Sequence, residues 1–433
     1  MFITGRLAFA LAMGVIPTVL LSAAGLPAGA VAGAWAALCA AAAAVDAVSA
    51  ADPRAVTVER RVPARVLRDQ DVMTTALLTN RGRRRLRGRV RDAWQPTAGA
   101  PAHRSPIDIP AGERRAVDIP LRPRRRGELR TAFVVIRSAG PLRLAGRQAR
   151  LDAPGALRVL PPFTARRHLP SRLARLRELD GNTSVQVRGQ GTEFDSLREY
   201  VRGDDVRSID WRATARATTT MLRTWRPERD RHVVIVIDTG RTSAARVGDG
   251  VRLDAAMEAA LLLGALAVRA GDHVHLVMFD RVLRARVTRV DGTSLLPALV
   301  DAMAPVEPQL IDTDWDAAAA QVRRLTTRPA LVVLLTAQDA VDAARGFLAA
   351  LPALTTRSRV VVGSVSADEP RPERPRDAAG VYALAAAERS ARDAREVASA
   401  IARAGADAVV ADAESLPPRV ADRYLALKAA GRL

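Results

Sequence analysis

The chain has 433 residues, enough for two or three domains, and 48% of them are hydrophobic, which is enough to fill real cores. The net charge is +20, and the excess is local, because 30 arginines and nine acids lie between residues 54 and 177. Cys39 is the only cysteine, which excludes an internal disulfide and a cysteine-based metal cluster.

The first domain, residues 1–53, contains two uncharged apolar runs at about 7–24 and 28–45. Each is close to the roughly 18–20 residues that cross a bilayer as a helix, so we predict a transmembrane hairpin that turns around Pro27. A signal peptide cleaved near residue 24 is the alternative, and the second run disfavours it. Arg6 precedes the first run and Arg54 follows the second. The positive-inside rule therefore predicts a two-pass protein of the cytoplasmic membrane, with its soluble domains in the cytoplasm.

Residues 54–161 alternate apolar and polar side chains in short runs that are separated by turn residues, such as 80–82 and 110–112. This pattern predicts an all-β, immunoglobulin-like sandwich. Its densest positive stretches are 81–91 and 122–130. They fit solvated arginines or a patch against the anionic inner leaflet of the membrane. A nucleic-acid site is disfavoured, because Trp94 is the one aromatic residue nearby, and we expect no nucleic-acid partner.

Residues 162–230 are predicted to be a linker that carries an unusual segment, 189–217. Acids and arginines alternate there, and apolar anchors that include Phe194, Tyr200 and Trp211 lie among them. A solvated linker does not need such anchors, so the segment is expected to dock on other structure with its charges paired. After residue 231, apolar strand-like runs alternate with helical stretches, which predicts an α/β sheet with helices on both faces.

The segment 189–217 resembles the signature GxEFxxLReYxxGDdxRxIdWxasAR of the bacterial domain-of-unknown-function 58 family. The principal matching residues are Glu193, Phe194, Arg198, Glu199, Tyr200, Gly203, Asp204, Asp205, Arg207, Asp210, Trp211 and Arg216. The ending DRYLALKAAGRL is also similar to that of the family. The resemblance implies that residues 231–433 form a von Willebrand factor A-like domain. It also implies a partnership with a MoxR-type AAA+ ATPase.

Domains of the A-like fold often hold Mg²⁺ at a metal-ion-dependent adhesion site, where oxygen ligands meet at the carboxyl ends of the strands. Asp238, Thr242 and Thr313 match three of the expected ligand positions. Gly240 replaces a serine ligand, and the usual aspartate after a later strand is missing or shifted to Asp339. Mg²⁺ at a degenerate site therefore competes with a structural interpretation, in which the Asp238 carboxylate accepts hydrogen bonds from its own loop.

No GxSxG, Walker A or HExxH motif is present, so we predict that the chain is not an enzyme and has no catalytic residue. The sequence identifies no small-molecule substrate. His273 and His275 share one face of a predicted strand. A metal-binding pair is one interpretation of them, and the commoner one, which we expect here, is an exposed strand face. The signature charges could form a structural ion-pair network, with Tyr200 and Trp211 packed on the sheet, or a surface that receives a partner.

The patterns, together with what the family resemblance implies, lead to two candidate functions. The first is a membrane-anchored cytoplasmic scaffold or adaptor that acts with the ATPase in the assembly or maturation of cell-envelope or other complexes. The alternative is a metal-dependent adhesion or ligand-binding receptor.

Overall fold

The computed structural model describes residues 1–182, 193–202, 204–226, 231–248, 250–366 and 377–433. The chain divides into two units, Met1–Pro162 and Phe163–Leu433. The first unit contains the apolar helices and an all-β domain, and the second contains the signature segment and an α/β domain. The general combination of elements that the sequence predicts is therefore confirmed.

The N-terminal apolar runs form the helices α1 Gly5–Ala12, α2 Val15–Ala23 and α3 Ala28–Ser49. The stretches Gly5–Ala23 and Ala28–Ala55 are long and apolar enough to cross a membrane, each with a mean hydropathy of 1.8. The indole of Trp35 on α3 donates a hydrogen bond of 2.9 Å to the carbonyl of Ala10, which ties the two arms of the hairpin together. Helix α3 continues past Asp46, where we expected the second apolar run to end, because the Asp46 carboxylate is buried against the β domain.

Two sheets build the rest of the first unit. The strands are β1 Phe2–Ile3, β2 Val56–Arg61, β3 Arg65–Leu67, β4 Val72–Asn80, β5 Leu86–Asp92, β6 Ser105–Ile109, β7 Arg114–Leu121, β8 Gly127–Ala139 and β9 Ala145–Leu160. One sheet has the order β1-β9-β8-β5-β6, with β3 parallel to β9, and the other has the order β2-β4-β7. Their inward side chains, such as Leu78, Ile136 and Leu157, form one fully buried core. Alternation of apolar and polar residues thus produces a two-sheet sandwich.

Helix α4 Leu169–Asn182 lies near the start of the second unit, and its Leu173 and Leu176 pack into the core of the α/β domain. Residues 163–182, which the sequence assigns to a linker, are therefore part of this unit. Thr164 supports the same packing, because its hydroxyl donates a 2.5 Å hydrogen bond to Glu258 on the long helix α6 Arg252–Arg269.

The remaining elements of this unit follow in chain order. They are β10 Glu193–Glu199, α5 Trp211–Thr214, β11 Met221–Arg226, β12 His232–Asp238, β13 Arg246–Val247, β14 Gly250–Val251, α6, β15 His273–Phe279, β16 Leu283–Val287, α7 Leu295–Met303, α8 Trp315–Leu325, β17 Leu331–Leu335, α9 Arg345–Ala350, α10 Pro352–Thr355, β18 Arg359–Val365, α11 Ala378–Arg403, β19 Asp407–Ala411 and α12 Leu416–Ala429.

The main sheet has the order β16-β15-β12-β17-β18-β19, and all of its strands are parallel except β16, which pairs antiparallel with β15. Helices α6, α7 and α12 pack on one face, and α8 to α11 pack on the other. Both faces are covered, which explains why β12 is a continuous apolar run. The carboxyl ends of β12, β15 and β17 meet at one edge of the sheet, where the candidate ligands of the sequence analysis lie.

One expectation about this sheet is wrong. We expected His273 and His275 on an exposed strand face, but His275 is buried and its ring stacks on His232 at a centroid distance of 5.2 Å. The Nδ1 of His232 and the Nε2 of His275 lie 2.9 Å apart, so the rings share a hydrogen bond. The neighbouring strand β12 supplies the partner ring, which an inspection of β15 alone could not reveal.

Candidate functional site

The signature segment folds as a β-hairpin with a structured loop. β10 pairs antiparallel with β11, from Glu193 opposite Arg226 to Glu199 opposite Met221. The loop contains a 3-10 turn at Val206–Ser208 and the short helix α5. Gly203 and residues 189–192 lie outside the described residues, and only the backbone of Glu193 and Phe194 is described.

The acids of the loop hold its backbone in shape. Asp204 accepts a 3.0 Å hydrogen bond from the N–H of Val201, and Asp205 accepts one of 3.0 Å from the N–H of Arg207. Asp210 caps α5, because its Oδ1 accepts from the N–H groups of Arg212 and Ala213. Each carboxylate satisfies backbone donors that would otherwise lack partners at the start of a turn.

Two ion pairs tie the loop to the hairpin strands. Arg198 on β10 donates a hydrogen bond of 2.7 Å to Asp204, and Arg223 on β11 donates one of 2.7 Å to Asp210. The N–H of Ala213 and the guanidinium of Arg223 together hold the pKa of Asp210 below its usual range. Of the predicted charge network, the structure therefore contains the pair Arg198–Asp204, and it adds Arg223 from outside the signature.

The apolar anchors of the loop are not covered. We expected Trp211 to pack on the sheet under the structural interpretation, but its side chain is 70% exposed. Val201 and Val206 are 61% and 60% exposed. The paired charges therefore fix the loop on the hairpin, while these apolar side chains stay at its surface.

The other residues of the segment lie around these exposed side chains. Glu199 accepts a 3.1 Å hydrogen bond from the hydroxyl of Thr219 across the hairpin, and Tyr200 is half-buried. The remaining arginines are exposed, and they are Arg202, Arg207, Arg212 and Arg216. An exposed tryptophan and two valines therefore lie in one loop with four exposed positive charges. We call the side chains of Val201, Val206 and Trp211, with these four arginines, the signature surface.

The candidate metal ligands do meet at the carboxyl end of the sheet. Asp238 is 2% exposed, and its Oδ1 accepts hydrogen bonds from the hydroxyl of Thr313 at 2.5 Å and from the N–H of Gly240 at 2.8 Å. Its Oδ2 accepts from the hydroxyls of Thr336 at 2.6 Å and Thr242 at 3.2 Å. The sequence pattern places Asp238, Thr242 and Thr313 correctly in one cluster, and Thr336 is the member that it misses.

This cluster does not suit a resident Mg²⁺ ion. A carboxylate offers about four acceptor positions, and four protein donors already occupy those of Asp238. Asp339, the replacement for the missing aspartate, instead accepts a 2.6 Å hydrogen bond from Arg252. A Cβ added to Gly240 would lie 2.4 Å from the hydroxyl of Thr313, so a serine ligand has no room there. Within the described ranges, no group of three or more histidine, cysteine or acidic side chains is arranged to hold a metal.

A second buried carboxylate lies beside the cluster, at the end of β15. Asp280 is fully buried and accepts hydrogen bonds from Thr239 at 2.9 Å and from Arg284 at 2.7 Å, as well as from the N–H groups of Arg281 and Val282. Burial raises its pKa, but these hydrogen bonds outweigh burial and leave the pKa below its usual range. The sequence signal for this residue is an acid directly after the apolar run of β15.

These features can be set beside known proteins. A family model described as "Protein of unknown function DUF58" matches residues 196–412. No curated protein matches the chain.

Among solved structures, the chain is similar to three domains. One is the CARDB domain of a Pyrococcus furiosus protein in complex with di-metal ions, at 16% identity and a TM-score of 0.19, covering 26% of this chain and 94% of that one. Another is the PapD-like domain 7 of human CEP192, at 12% identity and a TM-score of 0.19, covering 25% of this chain and 88% of that one. The third is the SpRpn10 VWA domain, at 9% identity and a TM-score of 0.30, covering 45% of this chain and 94% of that one. The family model covers half of the chain, including most of the hairpin and the strand-end cluster, so this protein belongs to the DUF58 family.

Proposed function

We propose that this protein is a non-enzymatic, membrane-anchored adaptor whose signature surface receives a protein partner, a MoxR-type AAA+ ATPase. The observation that carries the proposal is the exposure of Trp211 on a loop whose backbone is fixed by paired charges. A segment with a purely structural role would bury its largest apolar side chain, because burial of such side chains is the main stabilising term in folding.

The chemistry of the surface is that of a docking site. Tryptophan and arginine are enriched among the residues that dominate binding energy in protein interfaces. Trp211 can fill an apolar pocket of a partner, while Arg207 and Arg212 match an acidic rim around it. The loop is also preorganised by Asp204 and Asp210, which lowers the entropy that a partner must remove on binding.

The choice of a MoxR-type ATPase as the partner comes from the family resemblance of the signature. We also propose that the two larger domains have the A-like and the immunoglobulin-like fold. The parallel sheet centred on β12, with its polar cluster at the carboxyl strand ends, supports the A-like identity. The adhesion-receptor alternative loses support, because the cluster contains one carboxylate that its own donors already satisfy.

We further propose that both ends of the helix hairpin face the cytoplasm, because Arg6 and Arg54 flank its two arms. An ATPase in the cytoplasm could then reach the signature surface. Protease added to right-side-out vesicles should leave the second unit intact, whereas protease added to inverted vesicles should cleave it. Cleavage from the outside would contradict this orientation.

Co-purification tests the partner. The full-length protein, extracted in mild detergent, should retain the MoxR-type ATPase encoded by the same organism, and Trp211→Ala should lose it. Tyr382→Ala is the matched control, because Tyr382 is an aromatic side chain that is 78% exposed on α11, outside the signature. Equal retention by both variants, or loss in both, would refute docking at the signature surface.

A further inference from the structure

The last turn of α3 is clamped onto the β domain by a single buried carboxylate. Asp46 is 1% exposed and accepts hydrogen bonds from the N–H groups of Leu142 at 2.7 Å, Leu144 at 2.7 Å and Ala145 at 3.0 Å. These donors belong to the turn that joins β8 to β9. A Cβ on Gly140 would lie 2.2 Å from the carbonyl oxygen of Asp46, so the turn rests directly on the helix end.

The start of the hairpin holds the same turn from the other side. Phe2 pairs with Gly146 as a strand, and the hydroxyl of Thr4 donates a 2.6 Å hydrogen bond to the carbonyl of Arg143. The turn at residues 140–145 therefore lies between the beginning of α1 and the end of α3. The position of the β domain relative to the helices is fixed by these contacts and not by a free linker.

The length of α3 sets the depth of this junction. Its 22 residues span about 33 Å at the usual rise per residue, and the hydrocarbon core of a bilayer is about 30 Å thick. If α3 crosses the membrane, as the proposed function requires, its last turn with Asp46 emerges at the level of the lipid headgroups. The β8–β9 turn is then placed at the same level.

Exposed arginines surround the junction. Arg6, Arg81, Arg83 and Arg143 are exposed, and in the described part of the chain none of them has a carboxylate partner. Arg84 caps the end of α3 through the carbonyls of Val48 and Ser49, at 3.1 and 3.0 Å, which locates the loop 81–85 at this end. The other dense stretch, Arg122 to Arg130, starts at the opposite end of the sandwich. Strand β4 shows this, because Asn80 at one end of it lies beside the loop 81–85, whereas Val72 at its other end pairs with Leu121.

Two further features mark the turn as more than a solvated loop. Leu142 is 55% exposed at its tip. Arg143 next to it has a φ of 56°, a left-handed conformation that side-chain-bearing residues seldom adopt and that is retained only where the surroundings impose it. An apolar side chain and a basic one are thus held side by side at the level of the headgroups. A nucleic acid fits this end of the domain less well, because Trp94 is buried and offers no stacking surface for a nucleobase.

We propose that this end of the sandwich is a binding site for anionic phospholipids. The guanidinium groups of Arg81, Arg83 and Arg143 would bind headgroup phosphates, and Leu142 would enter the acyl boundary beside them. Arginine suits this role because its planar donors bind phosphate oxygens in pairs, and because basic residues near an anionic leaflet are attracted to it. The inference rests on the membrane anchoring in the proposed function.

Lipid co-purification tests the site. The full-length protein, equilibrated with mixed micelles of equal phosphatidylglycerol and phosphatidylcholine and then repurified, should retain phosphatidylglycerol in excess. The variant R81Q/R83Q/R143Q should lose that excess several-fold. The control R122Q/R124Q/R130Q removes the same charge at the distant stretch and should retain the excess. Equal behaviour of the two variants would overturn the proposal, as would displacement of the bound lipid by millimolar glycerol phosphate, which would indicate a site for soluble phosphates.

A depth measurement separates this inference from the anchoring itself. Cys39→Ala removes the only cysteine, and a fluorophore on Leu142→Cys in nanodiscs should then be quenched by nitroxide lipids. A fluorophore on Asp71→Cys, at the far end of β4 with a side chain that is 84% exposed, should not be quenched. A protein that sediments with membranes but gives no quenching at residue 142 would refute the lipid site alone. A protein absent from the membrane fraction would refute the anchoring.

Discussion

The hydroxyl of Thr336, at the end of β17, donates a 2.6 Å hydrogen bond to the carboxylate of Asp238, at the end of β12. This contact joins two adjacent parallel strands through buried side chains. It occupies an acceptor position of the carboxylate that a metal ion would otherwise use. The ends of the two strands are thus joined by a hydrogen bond between side chains.

Mg²⁺ should therefore have no effect on the stability of the protein. Millimolar Mg²⁺ or Mn²⁺ should leave the melting temperature unchanged, because the donors around Asp238 already satisfy it. Asp238→Ala should lower the stability by about 3 kcal/mol or more, since it leaves three hydroxyls and an amide N–H without their acceptor. Thermal unfolding of both proteins with and without metal measures the effect. A metal-dependent rise that disappears in Asp238→Ala would contradict this interpretation.

Restoring the missing serine should damage the cluster and not create a metal site. In Gly240→Ser the new Cβ meets the Thr313 hydroxyl, so we expect a loss of about 1–3 kcal/mol, as for overpacking elsewhere. Gly346→Ser is the matched control, because a Cβ there meets nothing within 4 Å. Denaturant unfolding compares the two, and a Gly240→Ser protein as stable as the control would show that the loop has space.

Acid should weaken the protein partly through Asp280. The folded-state pKa of this carboxylate lies below its unfolded value of about 3.9. Its contribution is therefore complete above the unfolded pKa and is lost as the pH falls through the folded one. Asp280→Asn should lower stability at pH 6 by about 1–3 kcal/mol and flatten the decline below about pH 4. Melting curves from pH 3 to 6 check this, with the exposed Asp342→Asn as control. A slope as steep as wild type in Asp280→Asn would contradict the assignment.

The clamp between α3 and the β domain should contribute strongly to stability. Asp46→Ala leaves three N–H groups of the β8–β9 turn without an acceptor, so we expect a loss of about 3 kcal/mol or more. Asp52→Ala removes an exposed cap to a single N–H, that of Arg54, and should cost about 0.5–2 kcal/mol. Unfolding in detergent measures both, and equal losses would mean that Asp46 does not clamp the junction.

The layout of the fold could be predicted from the sequence, because periodicity reports which faces are buried. Apolar runs predicted the helix hairpin, and alternation predicted strands such as β4 and β7. Helix α4 was missed because its apolar residues follow a short, arginine-rich pattern that resembles a linker. Only the folded core of the α/β domain shows where Leu173 and Leu176 pack. The role of Asp46 was missed for a similar reason, since its three donors lie about a hundred residues away.

The candidate sites could also be predicted only in part. The cluster of Asp238, Thr242 and Thr313 could be predicted, because the carboxyl ends of parallel strands meet at one edge of a sheet. Whether these side chains hold a metal or each other depends on distances such as that between Thr336 and Asp238, which no spacing in the sequence specifies. The exposure of Trp211 could not be predicted either, because the sequence pattern of a tryptophan among paired charges is the same whether the side chain faces the sheet or the solvent.

The affinity of the ATPase for the full-length protein in nanodiscs tests the central claim most directly. Binding isotherms for wild type, Trp211→Ala and Tyr382→Ala would be compared at one ionic strength, because the exposed arginines make the association salt-dependent. A central tryptophan in an interface contributes about 2 kcal/mol or more, so Trp211→Ala should raise the Kd about thirtyfold while Tyr382→Ala leaves it unchanged. A Kd that is the same for all three proteins would contradict docking at the signature surface.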